Sequence, residues 1–76
     1  MSKIKVRIFG VARLKAGVPS FESNAKTLQE LWKSVPGLTK KEAKDLLVLV
    51  DGKSVGKHYR FQEGDEVIMM SPAGGG

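Results

Sequence analysis

The sequence predicts a small α+β fold: a mixed sheet of four to five strands with one main helix lying across one face. Three observations predict it. Ile4, Val6 and Ile8 alternate with Lys5, Arg7 and Phe9, the period of two that marks a half-buried strand. Leu28, Leu31, Trp32 and Val35 follow the i, i+3, i+4, i+7 spacing of a core-facing helix stripe. Glu66–Met70 is an apolar run behind the turn Glu63-Gly64-Asp65 and reads as a final strand. One amphipathic helix covers one sheet face, so the simplest packing has two layers.

Taken in order, the first strand stops at Gly10. Val11–Ala16 has the composition of a helical turn, closed by Gly17. Val18–Ser23 has weak strand character at hairpin distance, and Pro19 marks it as an edge strand or strand start. Thr27 and Glu30 stand at capping-box spacing ahead of the main helix, which Pro36-Gly37 ends. Trp32 is expected in the core. Thr39 and Glu42 repeat the capping spacing and start a short helix through Lys40, Lys41 and Lys44. Leu46–Val50 is a continuous apolar run, read as a buried strand. Asp51-Gly52 is a hairpin dipeptide, with Ser54-Val55 as a short return strand. Residues 56–62 are irregular, anchored by Tyr59 and Phe61. If the first two strands form a hairpin, the first and last can lie parallel at the sheet centre. Residues 1–70 are then the domain and residues 71–76 a flexible carboxyl-terminal tail.

Composition narrows the chemistry. At 76 residues the chain is one small domain, burying about 60 % of its unfolded surface. It has no cysteine, which excludes a disulfide framework, a Cys-based metal site and a catalytic thiolate. The single histidine, His58, sits among Lys57, Tyr59 and Arg60 and reads as a solvated loop residue. Glu63, Asp65 and Glu66 surround a turn glycine, the pattern of a solvated turn rather than a metal cage. No glycine-rich loop follows a strand and opens a helix. The expectation is a protein with no catalytic residues, no metal and no bound cofactor. Met1-Ser2-Lys3 and the lack of a long apolar stretch lead us to expect a cytoplasmic protein that does not enter membranes. The net charge of +5 favours acidic partners without naming one.

The chemistry that remains is at the end. Ser71-Pro72-Ala73-Gly74-Gly75-Gly76 follows the final strand directly. Pro72 lacks an N–H and cannot continue a ladder. The glycines have no Cβ and make a slim segment. Six extended residues reach about 20 Å, enough to thread a channel and bring a carboxylate to a partner's active site. A glycine carboxylate suits activation as an acyl-adenylate, because no side chain crowds attack at its carbonyl. The partner would supply nucleotide, magnesium and catalytic groups. Alternation also places Phe9 on the face opposite Ile4, Val6 and Ile8, beside Arg7. In the last strand either Ile68 and Met70 or Val67 and Met69 must face away from the helix. Phe9, Arg7 and Met70 are therefore the candidate partner-binding residues.

The chain resembles the ubiquitin-like sulfur carriers of the β-grasp fold, nearest to the small subunit of molybdopterin synthase. The residues that carry the resemblance are Ile4–Phe9, Ala12–Gly17, Leu28–Leu31, Glu63–Val67 and the ending Ser71–Gly76. It implies that an adenylating enzyme of the ubiquitin-activating type uses ATP to activate Gly76. A sulfur donor then makes the thiocarboxylate. Pro72, Ala73, Gly74 and Gly75 insert into the large synthase subunit, which uses the sulfur to build the dithiolene of the molybdenum cofactor.

Related readings are the sulfur carrier of thiamin (thiazole) biosynthesis, which usually lacks the Ala12–Gly17 insert, and a ubiquitin-like protein modifier. A reading of another class is a small basic nucleic-acid-binding module, using Lys5, Arg7 and Phe9 on one sheet face. Only one aromatic stands in that row, which argues against it. The last is a structural interaction domain with an idle tail.

Overall fold

The computed structural model describes residues 3–71. Its elements are β1 (Ile4–Phe9), α1 (Val11–Ala16), β2 (Ser20–Ser23), α2 (Leu28–Ser34), α3 (Lys40–Lys44), β3 (Leu47–Val50), β4 (Lys53–Ser54) and β5 (Glu66–Met70). They form one mixed sheet in the order β2-β1-β5-β3-β4. β1 and β5 run parallel at its centre, with Lys5 opposite Glu66 and Phe9 opposite Met70. The other pairs are antiparallel. This is the β-grasp architecture expected from the resemblance.

Ile4, Val6 and Ile8 of β1 and Val67 and Met69 of β5 are buried side by side. Leu28 and Leu31 of α2 close over them, with Val35, Ala43 and Phe61 completing the core. Each fully buried aliphatic side chain contributes about 1.5–3 kcal/mol relative to exposure. Two helices are capped as their spacing predicts. Thr39 accepts from the Glu42 N–H while the Glu42 carboxylate accepts from the Thr39 N–H, a complete box. Thr27 accepts from the Glu30 N–H, but Glu30 reaches one residue further back, to the Lys26 N–H at 2.9 Å.

Four expectations are corrected. Trp32 is half-buried, not core: it flanks a groove with Leu46, Leu47 and Val55, and its buried indole N–H has no acceptor among the described residues. At about 100° per residue Trp32 lies roughly 65° from the mean direction of Leu28, Leu31 and Val35, so three positions fill the sheet side and the fourth overhangs it. The run Leu46–Val50 is not wholly buried: β3 starts at Leu47, and only Val50 is fully enclosed. The return strand is Lys53–Ser54 rather than Ser54-Val55, because the two-residue turn Asp51-Gly52 puts Lys53 opposite Val50. Both turn residues have positive φ, 51° and 83°, as a type I′ turn requires. The second strand is also shorter than the run Val18–Ser23, starting at Ser20 beyond Pro19. The Pro19 carbonyl still accepts from the Ile8 N–H at 3.0 Å.

Two contacts tie the helical segments to one another. Gly37 has φ 76°, and a Cβ there would stand 2.6 Å from the Lys15 carbonyl oxygen, so the chain leaving α2 packs directly on the end of α1. Lys15 and Glu42 form an ion pair between α1 and α3. At the far end, Tyr59 donates to Asp65 at 2.9 Å, and the Gln62 N–H donates to the same oxygen at 2.8 Å. That hydrogen bond, with partial desolvation and the charges of Asp65 and Asp51, raises the Tyr59 pKa above its ordinary value.

Candidate functional site on the open sheet face

Among the described residues, no helix covers the second face of the sheet. Strand alternation and the observed register decide which side chains stand on it. Phe9, Met70 and Leu47 lie in one row across β1, β5 and β3. Arg7, Ile68 and Leu49 form the next row, and Lys5 and Glu66 the third. The choice left open for β5 is thereby settled: Val67 and Met69 face the core, Ile68 and Met70 the open side. Phe9 is 42 % exposed and Leu47 50 %, so the apolar row is accessible surface and not a second core. Phe9 does not fold under α1.

The patch changes character along the strands. Beside Lys5 and Arg7, a shallow cleft of about 300 Å³ is bounded by Asp51, Gly52, Glu66 and Ile68. Its charges are of both signs. Glu66 lies opposite Lys5 in register, and the Glu66 N–H donates to Asp51 at 3.3 Å. At the other end, where β1 and β5 finish, the surface is apolar. Val11 and Leu14 of α1, 72 % and 82 % exposed, continue that character just past Phe9.

The chain passes from Met70 to Ser71 at this apolar end. Ser71 accepts a hydrogen bond from the Ala12 N–H at 3.2 Å. The structure thus brings Phe9, Arg7 and Met70 onto one face. Pro72, Ala73, Gly74, Gly75 and Gly76, which with Ser71 make up the expected flexible tail 71–76, lie outside the described residues. Ile68, one of the two alternatives left open for β5, completes the patch with Leu47 and Leu49, which were not singled out from sequence. Their signal was the unbroken apolar run of β3: a strand with no alternation has two apolar faces. The Ser71 hydroxyl carried no local signal, because its partner is 59 positions away.

The model of the ThiS family matches residues 6–76. The chain belongs to the ThiS family of ubiquitin-like sulfur carriers. Solved structures agree on the fold of this ThiS-family chain. Small archaeal modifier protein 1 from Methanosarcina acetivorans superposes with a TM-score of 0.78 at 19 % identity, covering 100 % of this chain and 98 % of its own. A protein assigned as molybdopterin converting factor subunit 1 from Pyrococcus furiosus gives 0.75 at 22 % identity, covering 96 % and 100 %. A complex of subunits 1 and 2 of the molybdopterin-converting factor from Helicobacter pylori contains a chain with a TM-score of 0.69 at 22 % identity, covering 97 % and 99 %. No curated protein matches the sequence. Among the described residues, no helix is long and apolar enough to cross a membrane.

Proposed function

We propose that this ThiS-family chain carries sulfur as a thiocarboxylate on Gly76 and delivers it in molybdopterin formation, as the non-catalytic small subunit of a heteromeric synthase. In the first step a Gly76 carboxylate oxygen attacks the α-phosphorus of ATP, held by a partner adenylating enzyme, and pyrophosphate leaves. A donor supplying sulfur at the sulfide level then attacks the acyl carbon and displaces AMP. The tail, Pro72 to Gly76, next enters the acceptor subunit.

The observation that carries this reading is the apolar row Phe9–Met70–Leu47 at the end of the strand that leads into the glycine run. Met70 stands six positions before Gly76. A partner seated on that row is within reach of the carboxylate. The Helicobacter pylori protein of the same fold forms a complex with a second subunit, which supports a synthase partner here. Helix α1 fills the segment that thiamin carriers usually cross with a short turn, which favours the molybdopterin pathway. Against a nucleic-acid face, Glu66 stands opposite Lys5 and aliphatic side chains fill the middle of the sheet.

Intact mass spectrometry of the native protein tests the proposal. A fraction of molecules should show the mass change of one oxygen replaced by sulfur, located at Gly76, and this fraction should vanish when the large synthase subunit and its substrate are added. A second reading, protein modification, is favoured by the TM-score of 0.78 to small archaeal modifier protein 1. Isopeptide-linked Gly76 on lysines of other proteins would establish it.

A further inference from the structure

We infer that the groove between α2 and the outer side of β3 is a docking site for an extended, acidic segment of a partner protein, which seats an aliphatic side chain beside Trp32 and offers an oxygen to its indole N–H. The groove holds about 500 Å³ and is walled by Leu28, Trp32, Leu46, Val48 and Val55. Such a lining accepts an aliphatic group and leaves a few fixed polar atoms to orient it. One of these is the Trp32 N–H, which is buried with no acceptor among the described residues. An unpaired buried donor is costly, and an occupant that brings an oxygen recovers the loss. Trp32 is half-buried and flanks the groove, where side chains shift on binding more readily than in a core.

Two further features decide what fits. The sheet edge is interrupted here: β4 pairs with Leu49 and Val50 alone, so past Ser54 no strand runs beside Leu47 and Val48 among the described residues. An unpaired strand edge takes an extended segment, whose backbone carbonyls are a ready supply of oxygens. The charge is one-sided. Lys57 is the one charged residue along the groove, and no carboxylate among the described residues borders it. The whole chain carries +5. An acidic flank on the segment is attracted and oriented by this field. A second copy of this chain fits less well, because a symmetric pairing would set two basic grooves face to face. The groove is distinct from the row of Phe9 and Met70, with Leu47 on the boundary of both. Its role does not depend on Gly76.

The experiment titrates the full chain, labelled for NMR, with two synthetic peptides. One is acetyl-Glu-Asp-Leu-Val-Leu-Val-Asp-Glu-amide, and the other carries lysine at every acidic position. Trp32 is the only tryptophan, so its indole N–H gives a single resonance. The acidic peptide should move that resonance downfield to saturation, together with the amides of Val48 and Val55, and the lysine peptide should not. In Trp32→Phe the Kd for the acidic peptide should rise about three- to tenfold, the loss of one hydrogen bond, in a variant whose melting curve shows it folded. Lys57→Glu should weaken the acidic peptide about threefold or more, and Lys5→Glu on the open face by less than about twofold. An indole resonance that stays in place up to about 1 mM peptide overturns the inference without any variant. So does equal binding of the lysine peptide, or equal loss in the two lysine variants, which would mean diffuse charge attraction. An indole shift that follows protein concentration with no peptide present would assign the groove to a second copy instead. An unchanged Kd in folded Trp32→Phe would remove the indole from the contact and overturn the assignment.

Discussion

Phe9 shows how one side chain decides what a strand face is for. It alternates with three fully buried aliphatics, yet it is itself partly open to solvent beside Met70 and Leu47. A charge there should leave the core untouched. Phe9→Glu is expected to melt within a few degrees of the parent and to weaken binding of the adenylating enzyme at least tenfold, about 1.4 kcal/mol or more. Calorimetry of both the fold and the complex checks this, and normal binding by a folded variant would remove the open face from the mechanism. Trp32 presents the converse case. Its half-burial and unpartnered indole N–H make it a weaker anchor than a core tryptophan. Trp32→Ala should destabilise by about 2 kcal/mol in urea unfolding, below the 3–5 kcal/mol usual for a core tryptophan. Trp32→Phe should lose less still, because it removes the orphan donor. A larger loss in the phenylalanine variant than in the alanine variant would contradict the observed environment.

At the scale of elements, the loop before β5 is held by a charged oxygen that serves two donors. Asp65 accepts from Tyr59 and from Gln62, and the phenol hydrogen bond raises the Tyr59 pKa. A raised folded-state value means that the folded protein holds its proton more tightly than the unfolded chain. The stabilisation is therefore complete below the ordinary tyrosine pKa of about 10 and is lost as pH rises through the folded value. Tyr59 is the only tyrosine, so tyrosinate absorbance follows it alone. Asp65→Asn should bring the titration back toward the ordinary value and flatten the alkaline loss of stability. A variant that titrates at or above the parent would refute the assignment. The β3 strand carries a different lesson. Its apolar run reads as buried, but a central strand with one helix-covered face presents half its side chains to the other side. Leu47 and Leu49 are there because the sheet is two-sided, a fact of assembly and not of local pattern.

For the whole molecule, the core found among the described residues is built from residues 4–69. Removal of residues 72–76 should leave the melting temperature within about 2–3 °C of the parent, since every core side chain among the described residues is kept. The same truncation should abolish adenylation and thiocarboxylate formation. Intact mass and a thermal melt on one sample check both, and sulfur still carried by the truncated protein would end the proposed role of Gly76. A net charge of +5 on so small a surface adds a long-range attraction to acidic partners, screened within about 10 Å at 0.1 M salt.

Periodicity alone determined the alternation of β1, the position of α2, both threonine caps and the Asp51-Gly52 turn, because each is set by neighbours within about five positions. Composition alone removed the thiol and Cys-metal chemistries. Only the tertiary structure decided which half of β5 faces the core, that Leu47 joins Phe9 and Met70, that Trp32 overhangs the sheet, and that Ser71 caps α1. The physical reason is range. A strand's two faces become different only when a helix covers one of them, and a helix N-terminus accepts any hydroxyl that packing brings near. Ser71 and Ala12 are 59 positions apart in sequence and 3.2 Å apart in the fold.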